Sequence, residues 1–209
     1  MNAARTMGVV LGRAVAATSD EAVLVAELQA GREEAFAYLL AVYQNPVFNL
    51  ISRIVRDGTD AADVLQDVFL KVFRGIRHFH GESSLKTWVY RIAVHEASNH
   101  RRSWLRRHRR EPFSLDEGHG EPEAAFAKAE AQDETPYDAL EQAERQRLVE
   151  RALASLAPPY RTVLILREIE NLSYEEIADV LGVAEGTVKS RLLRGRELLR
   201  RKLASWLGR

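Results

Sequence analysis

Apolar side chains recur along this chain every three to four positions, and no segment sustains a two-residue alternation. The pattern therefore predicts helices and no strands. Between residues 20 and 43, Val23, Leu24, Leu28, Ala35, Phe36, Leu39 and Leu40 keep helical spacing, with a break near Gly31. Proline is tolerated in the first turn of a helix and not in its interior, so Pro46 predicts a separate helix over Val47–Val55. Asp57-Gly58-Thr59-Asp60 reads as a turn with Asp60 as N-cap. From there Ala61, Val64, Leu65, Val68, Phe69, Val72, Phe73 and Ile76 hold the 3.6-residue period. A polar loop, His78–Ser84, then precedes an amphipathic helix from Leu85 to about Arg102, whose inner face is Leu85, Trp88, Val89, Ile92 and Ala93.

Residues 111–138 change character. Pro112, Pro122 and Pro136 interrupt a stretch rich in acids and poor in large apolar groups, which predicts a flexible linker in which Ala124–Gln132 forms at most a transient helix. A second helical block runs from Leu140 to the C-terminus. The expected organisation is a leader over 1–19, a helical domain over 20–110, a linker over 111–139 and a second helical domain over 140–209. The fold class is all-α, with two small domains.

At 209 residues and 46% hydrophobic content, the chain can form one large core or two small ones. The absence of cysteine excludes a disulfide framework, a thiolate zinc site and a cysteine nucleophile, and agrees with a reducing cytoplasm. No run approaches the ~20 apolar residues that a membrane-spanning helix needs. Met7–Ala17 approaches a signal-peptide core, but Arg13 interrupts it, and it reads as a loose leader.

Charge changes the picture more. The net formal charge is zero, yet residues 1–110 hold 16 Lys/Arg against 11 Asp/Glu, residues 111–144 one Lys against 11 acids, and residues 145–209 13 basic against 8 acidic. Two basic blocks flanking an acidic segment suggest two modules for a polyanion.

The sharpest local signal lies in the second block. Ser173-Tyr174-Glu175-Glu176 has the form of a capping box, with Ser at the N-cap and Glu three residues on. The short helix it opens buries Ile177, Ala178 and Leu181, Gly182 supplies the turn, and a second helix starts near Glu185 with Val188, Leu192 and Leu199 inward. Helix, glycine turn, helix is the DNA-binding helix-turn-helix unit, and its second helix carries Lys189, Arg191, Arg194, Arg196, Arg200, Arg201 and Lys202. Ala184 stands where an N-cap serine is expected, at a cost of ~1 kcal/mol.

Two further faces stand out. On the helix from Asp60 to Ile76, Asp60, Asp63, Asp67, Lys71 and Arg74 oppose the apolar arc, with Gln66 flanking; by pattern alone this is a solvated face with internal ion pairs, Asp67 with Lys71 for instance. On the next helix, Arg91, His95, Ser98, Asn99 and Arg102 share a side, and Arg101–Arg110 adds six arginines around Trp104. Arginine, amide and aromatic groups together suit contacts to nucleic acid. Catalysis finds no support: His95 and His100 lie ~140° apart on a helix, a poor metal pair, and there is no phosphate-cradling glycine loop or serine elbow. No cofactor and no metal are expected.

These residues resemble a known family. Asp60–Phe73 (D-x-x-D-V-L-Q-D-V-F-L-K-V-F) and Phe79–Ala93 (F-H-G-E-S-S-L-K-T-W-V-Y-R-I-A) are similar to region 2 of bacterial RNA polymerase sigma factors, and Leu156–Arg161 with Leu172–Leu199 to region 4. The short linker and missing middle region match the extracytoplasmic-function (ECF) branch of the sigma-70 family. The resemblance covers roughly Asp20–Arg102 and Leu140–Leu207. It implies a cytoplasmic, non-enzymatic protein whose partners are the β′ and β subunits of core RNA polymerase, promoter DNA and an anti-sigma factor.

Carried over residue by residue, the resemblance places polymerase binding on Asp63, Gln66, Asp67 and Phe69. It places the minus-ten element on Phe79, His80, Gly81, Ser84, Lys86, Arg91, His95, Asn99 and Arg102, and the minus-thirty-five element on Thr187, Lys189, Ser190, Arg191, Leu193 and Arg194. One departure concerns His95, where the family usually has Asn: an imidazole lacks the paired donor and acceptor edge of an amide. The competing expectation is a stand-alone helix-turn-helix regulator with an N-terminal effector domain; an RNA-processing enzyme ranks behind both for want of a site.

Overall fold

The structure, a computed structural model, describes residues 20–55, 58–108 and 136–207. The expected leader, most of the expected linker and the Ala124–Gln132 segment lie outside the described residues. Those that are described contain helices and turns and no strand.

The N-terminal block holds α1 (20–29), α2 (Glu33–Val55), α3 (Gly58–Gly75), a single 3₁₀ turn (Ile76–His78) and α4 (Leu85–His108). Helices α2, α3 and α4 pack against one another in all three pairings. Their inner stripes are Leu50, Ile51 and Ile54 from α2, Ala61, Val64, Val68 and Val72 from α3, and Leu85, Val89, Ala93 and Ala97 from α4, all buried. Removing each large side chain of this set from water contributes about 1.5–3 kcal/mol. Side-chain hydrogen bonds tie α1 to the far end of this unit. Gln29 Nε2 donates to the Phe79 carbonyl at 2.8 Å, and the Glu21 carboxylate accepts the Leu85 N–H at 3.0 Å.

Two local expectations need correction. Pro46 lies inside α2, which runs unbroken through it. The carbonyl left without a donor belongs to Val42, an exposed residue, so water can replace the lost bond while Val47, Leu50 and Ile51 beyond the proline keep the buried stripe in register. Asp60 sits in the first turn of α3 and not at its cap, because the helix already begins at Gly58; its carboxylate there still favours the positive end of the helix dipole.

The C-terminal block holds α5 (Pro136–Ser155), α6 (Pro158–Leu164), a single π turn (Ile165–Ile169), α7 (Tyr174–Leu181) and α8 (Glu185–Leu207). Helix α5 begins four positions before the expected Leu140, with proline first, where its missing N–H costs nothing. Helix α8 packs on α5, α6 and α7. Gly195 makes the α6 approach possible: a Cβ there would meet the Leu164 side chain at 3.2 Å and the Tyr160 carbonyl at 3.3 Å.

The two blocks touch. Helix α7 lies along α4, and buried residues from both blocks form one continuous cluster. The Arg161 side chain of α6, 1% exposed, donates to the Ile54 carbonyl in the last turn of α2 at 3.0 Å.

Candidate functional site

The capping box of α7 forms as the sequence suggests: Ser173 Oγ accepts the Glu176 N–H at 3.1 Å and Glu176 Oε2 accepts the Ser173 N–H at 2.7 Å. Gly182 ends the helix in the left-handed region at φ 62°, with Val183 N–H bonded to Ala178 and Gly182 N–H to Asp179. Helix α8 then begins at Glu185, its first bonds running from Thr187 and Val188 to the Ala184 carbonyl. Val188 and Leu192 are buried, which turns the opposite side of α8 to solvent.

On that outer side Lys189 pairs with Glu185 at 2.7 Å, Ser190 donates to the Thr187 carbonyl at 3.0 Å, and Arg194 donates to Glu197 at 2.9 Å. Leu193 is 74% exposed. Thr187 and Arg191 are half-buried at the edges of the face. Glu197 also accepts from Arg201, and Arg194 first, then Arg201, hold its carboxyl below the usual range.

The α3 face combines charge with exposed apolar surface. Asp63, Gln66 and Asp67 are exposed, and Phe69 is half-buried beside them. Gln66, Phe69, Leu40, Leu70 and Phe73 line an open groove of about 430 Å³ between α2 and α3. Phe73, assigned to the inner face by periodicity, is 58% exposed, with its ring against Phe36 at a centroid distance of 4.7 Å. Periodicity missed this groove because Phe73 and Leu40 read as ordinary core positions. The suggested Asp67–Lys71 pair is replaced by a tertiary one, Lys71 Nζ to Glu96 Oε2 at 2.5 Å. Helix α4 brings Glu96 there in a less exposed setting, where the attraction is less screened.

The residues expected at the minus-ten element divide into four groups. His95, Asn99 and Arg102 form a hydrogen-bonded ladder on the exposed side of α4: Asn99 Nδ2 lies 3.3 Å from His95 Nε2, and Arg102 donates to Asn99 Oδ1 at 2.5 Å. His80 and Gly81 are exposed in the loop before α4. Phe79 and Ser84 are committed to the fold: Phe79 is buried with its ring 5.2 Å from Trp88, and Ser84 Oγ accepts the Thr87 N–H at 3.1 Å as the cap of α4. They shape the loop from beneath.

Lys86 and Arg91 face the C-terminal block. Lys86 Nζ donates to the Glu170 carbonyl at 3.0 Å, and Arg91 donates from Nε to the Asp179 carbonyl at 3.0 Å and from Nη2 to its carboxylate at 3.2 Å. Between them the buried Tyr90 hydroxyl donates to Glu170 Oε2 at 2.7 Å. Burial, reinforced by the Glu170 charge, pushes the Tyr90 phenol far above its ordinary range and keeps it a donor. Sequence periodicity gave no sign of Tyr90, since it falls outside the inner stripe of α4.

His95 and His100, a poor metal pair by their spacing, do not converge. His95 is exposed on the ladder, whereas His100 is half-buried with Nδ1 3.8 Å from an Asp60 carboxylate oxygen. No group of three or more His, Asp or Glu side chains placed to hold a metal occurs among the described residues.

Two family models match the chain, sigma-70 region 2 over residues 39–110 and sigma-70 region 4 over residues 146–199. The chain is 38% identical over 183 residues to the RNA polymerase sigma-H factor of Pseudomonas aeruginosa, covering 86% of this chain and 92% of that one. It is 39% identical over 183 residues to the ECF RNA polymerase sigma-E factor of Escherichia coli K12, covering 87% and 93%. A co-crystal structure of the sigma factor RpoE with the anti-sigma factor NepR from Bartonella quintana shares the fold, with a TM-score of 0.61 and 24% identity over 80% of this chain and 96% of that one. A helical protein with region 2 in its first block and a region 4 helix-turn-helix in its second is a sigma-70 type factor. The chain belongs to the ECF branch of that family. It is an RNA polymerase sigma factor, binding core polymerase and directing promoter recognition and initiation.

Proposed function

We propose that the three exposed faces divide this work among them. The α3 face binds core polymerase through Asp63, Gln66, Asp67 and Phe69, and the groove beside it extends the contact to the exposed apolar side chains Leu40, Leu70 and Phe73. The α4 ladder of His95, Asn99 and Arg102, with His80 and Gly81 in the loop before it, takes the minus-ten strand. The outer side of α8 reads the minus-thirty-five duplex through Lys189, Ser190, Leu193 and Arg194.

The single observation that carries this division is the α3 face, where a row of acids borders open apolar surface. Apolar patches of this kind mark docking sites. The β′ and β subunits would be the partners here. An anti-sigma factor is the natural regulator, as in the Bartonella quintana complex. The factor acts without catalysis of its own, in the cytoplasm. No helix among the described residues is long and apolar enough to cross a membrane. The unit over 20–110 and the unit over 140–209 serve as separate modules, one for polymerase and the minus-ten element and one for the minus-thirty-five element.

The test is in vitro transcription with purified core enzyme and a promoter library, comparing the native chain with Asp63→Ala/Gln66→Ala/Asp67→Ala. The triple variant should keep its circular dichroism and lose ≥ ~2 kcal/mol of core affinity, as truncated hot spots do. Unchanged core affinity would remove the α3 assignment.

A further inference from the structure

The loop before α4 is held at both ends by α1. At its entry, Gln29 Nε2 donates to the Phe79 carbonyl at 2.8 Å and to the Ile76 carbonyl at 3.3 Å. At its exit, Glu21 Oε1 accepts the Leu85 N–H at 3.0 Å, one of the donors that a helix start leaves without an intrahelical partner. Ser84 Oγ takes a second such donor, that of Thr87. Glu21 and Gln29 stand eight positions apart, about 12 Å along one helix axis, so a single rigid element fixes entry and exit together. Leu28, 1% exposed, and the partly buried Leu24 and Val25 seat that helix on the core. The motifs of the first block start at Asp60 and the sigma-70 region 2 match at residue 39, so α1 lies ahead of both. Its polar side chains nevertheless reach 47 to 64 positions forward.

We propose that Glu21 and Gln29 are positioning residues for the minus-ten element. Between the two anchors, His80, Gly81 and Glu82 are exposed, and a binding loop takes its shape from the scaffold that carries it. Gln29 fixes the backbone where the chain leaves the buried Phe79 ring, and Glu21 fixes it where α4 begins. Neither side chain contacts DNA; together they set the path of His80–Ser84 and with it the bases that the loop accepts. Loss of either bond frees one end of the loop, and the minus-ten element is then bound with less discrimination. This inference rests on the reading of the loop as part of the minus-ten site.

The test is transcription by core enzyme with the full-length chain from promoters whose minus-ten element is randomised. Glu21→Ala and Gln29→Met should each shrink the ratio between the strongest and weakest elements about fivefold, the worth of one hydrogen bond, and reorder those between. Glu21→Gln gives up the charge but keeps an acceptor oxygen for the Leu85 N–H, and should restore the native ranking. The ranking of minus-thirty-five variants should stay unchanged in all three, since α8 is untouched. If the α1 variants lower every minus-ten element by one common factor, α1 is a structural support only and the proposal is overturned. The exposed loop variant His80→Ala/Glu82→Ala separates the two possible faults. Should it change the minus-ten ranking while the α1 variants do not, the positioning role falls and the loop reading stands. Should it leave the ranking as it is, the loop reading falls, and the proposal with it.

Discussion

Arg161 donates from Nη2 to the carbonyl of Ile54, 107 positions earlier in the chain, and from Nη1 to the carbonyl of Ala154. Both acceptors lie in the last turns of helices, α2 and α5, where carbonyls lack intrahelical donors and the dipole favours a cation. One buried guanidinium thus closes two helix ends, one from each block.

Arg161→Leu should therefore destabilise the chain by about 2–4 kcal/mol, since it leaves two helix-end carbonyls without their charged donor. Arg161→Lys should recover only part of this, because an ammonium cannot span both acceptors with a planar fork. Urea denaturation followed by circular dichroism checks both. A loss below ~0.5 kcal/mol in the leucine variant would show that water caps these ends equally well.

Lys71 and Glu96 predict an acid-dependent term. Partial burial pushes the Glu96 carboxyl up, but bonds from Lys71 and His95 outweigh it and hold the group below its ordinary range. A carboxyl depressed in the folded state adds stability above its unfolded pKa and loses it as pH falls through the folded value. Lys71→Met should therefore lower the melting temperature at pH 7, and the difference should vanish well below the ordinary carboxylate range. In the same variant the Glu96 side-chain carbon should titrate at higher pH by NMR. A melting difference that persists unchanged into strong acid would mean the lysine acts through packing.

Ser173→Ala removes one arm of the capping box that starts α7. The expected cost is ~1 kcal/mol, with faster amide exchange in the first turn of α7 and little change in α2 or α3. Ser173→Asp should restore most of the loss, since aspartate caps as well as serine does. Equal exchange in the native and alanine forms would show that packing on α8, not the cap, holds this helix.

Arg194 and Arg201 share Glu197 as a partner but stand on different turns of α8. Early turns of a recognition helix reach base edges, and later ones lie nearer the phosphates. Arg194→Ala should cost ~1–3 kcal/mol on the best minus-thirty-five element and change the ranking of variants. Arg201→Ala should lower all of them together and make the salt dependence shallower by about one unit. Transcription from a randomised minus-thirty-five library separates these outcomes; one common factor for Arg194→Ala would strike it from the base readers.

Local chemistry settled much of this molecule from the sequence alone. The Ser173–Glu176 box, the Gly182 turn and the buried positions Val64, Val68, Val72, Leu85, Val89 and Ala93 were legible because each depends on a neighbour within a few residues or on one helical stripe. The motifs of the two blocks likewise pointed to a sigma factor. Tertiary structure decided the rest. Pro46 sits inside a helix because buried residues on both sides of it hold α2 together, a benefit that a local penalty does not reveal. Phe73 has the spacing of a core residue yet lies open, since periodicity assigns a side chain to a face without saying whether another element covers it. Lys71 bonds Glu96 in preference to the Asp67 one turn away, and Tyr90, Arg91 and Arg161 find partners 80, 88 and 107 positions distant. Such pairings follow from where whole helices come to rest against one another, and that placement is set by the summed burial of many side chains rather than by any local signal.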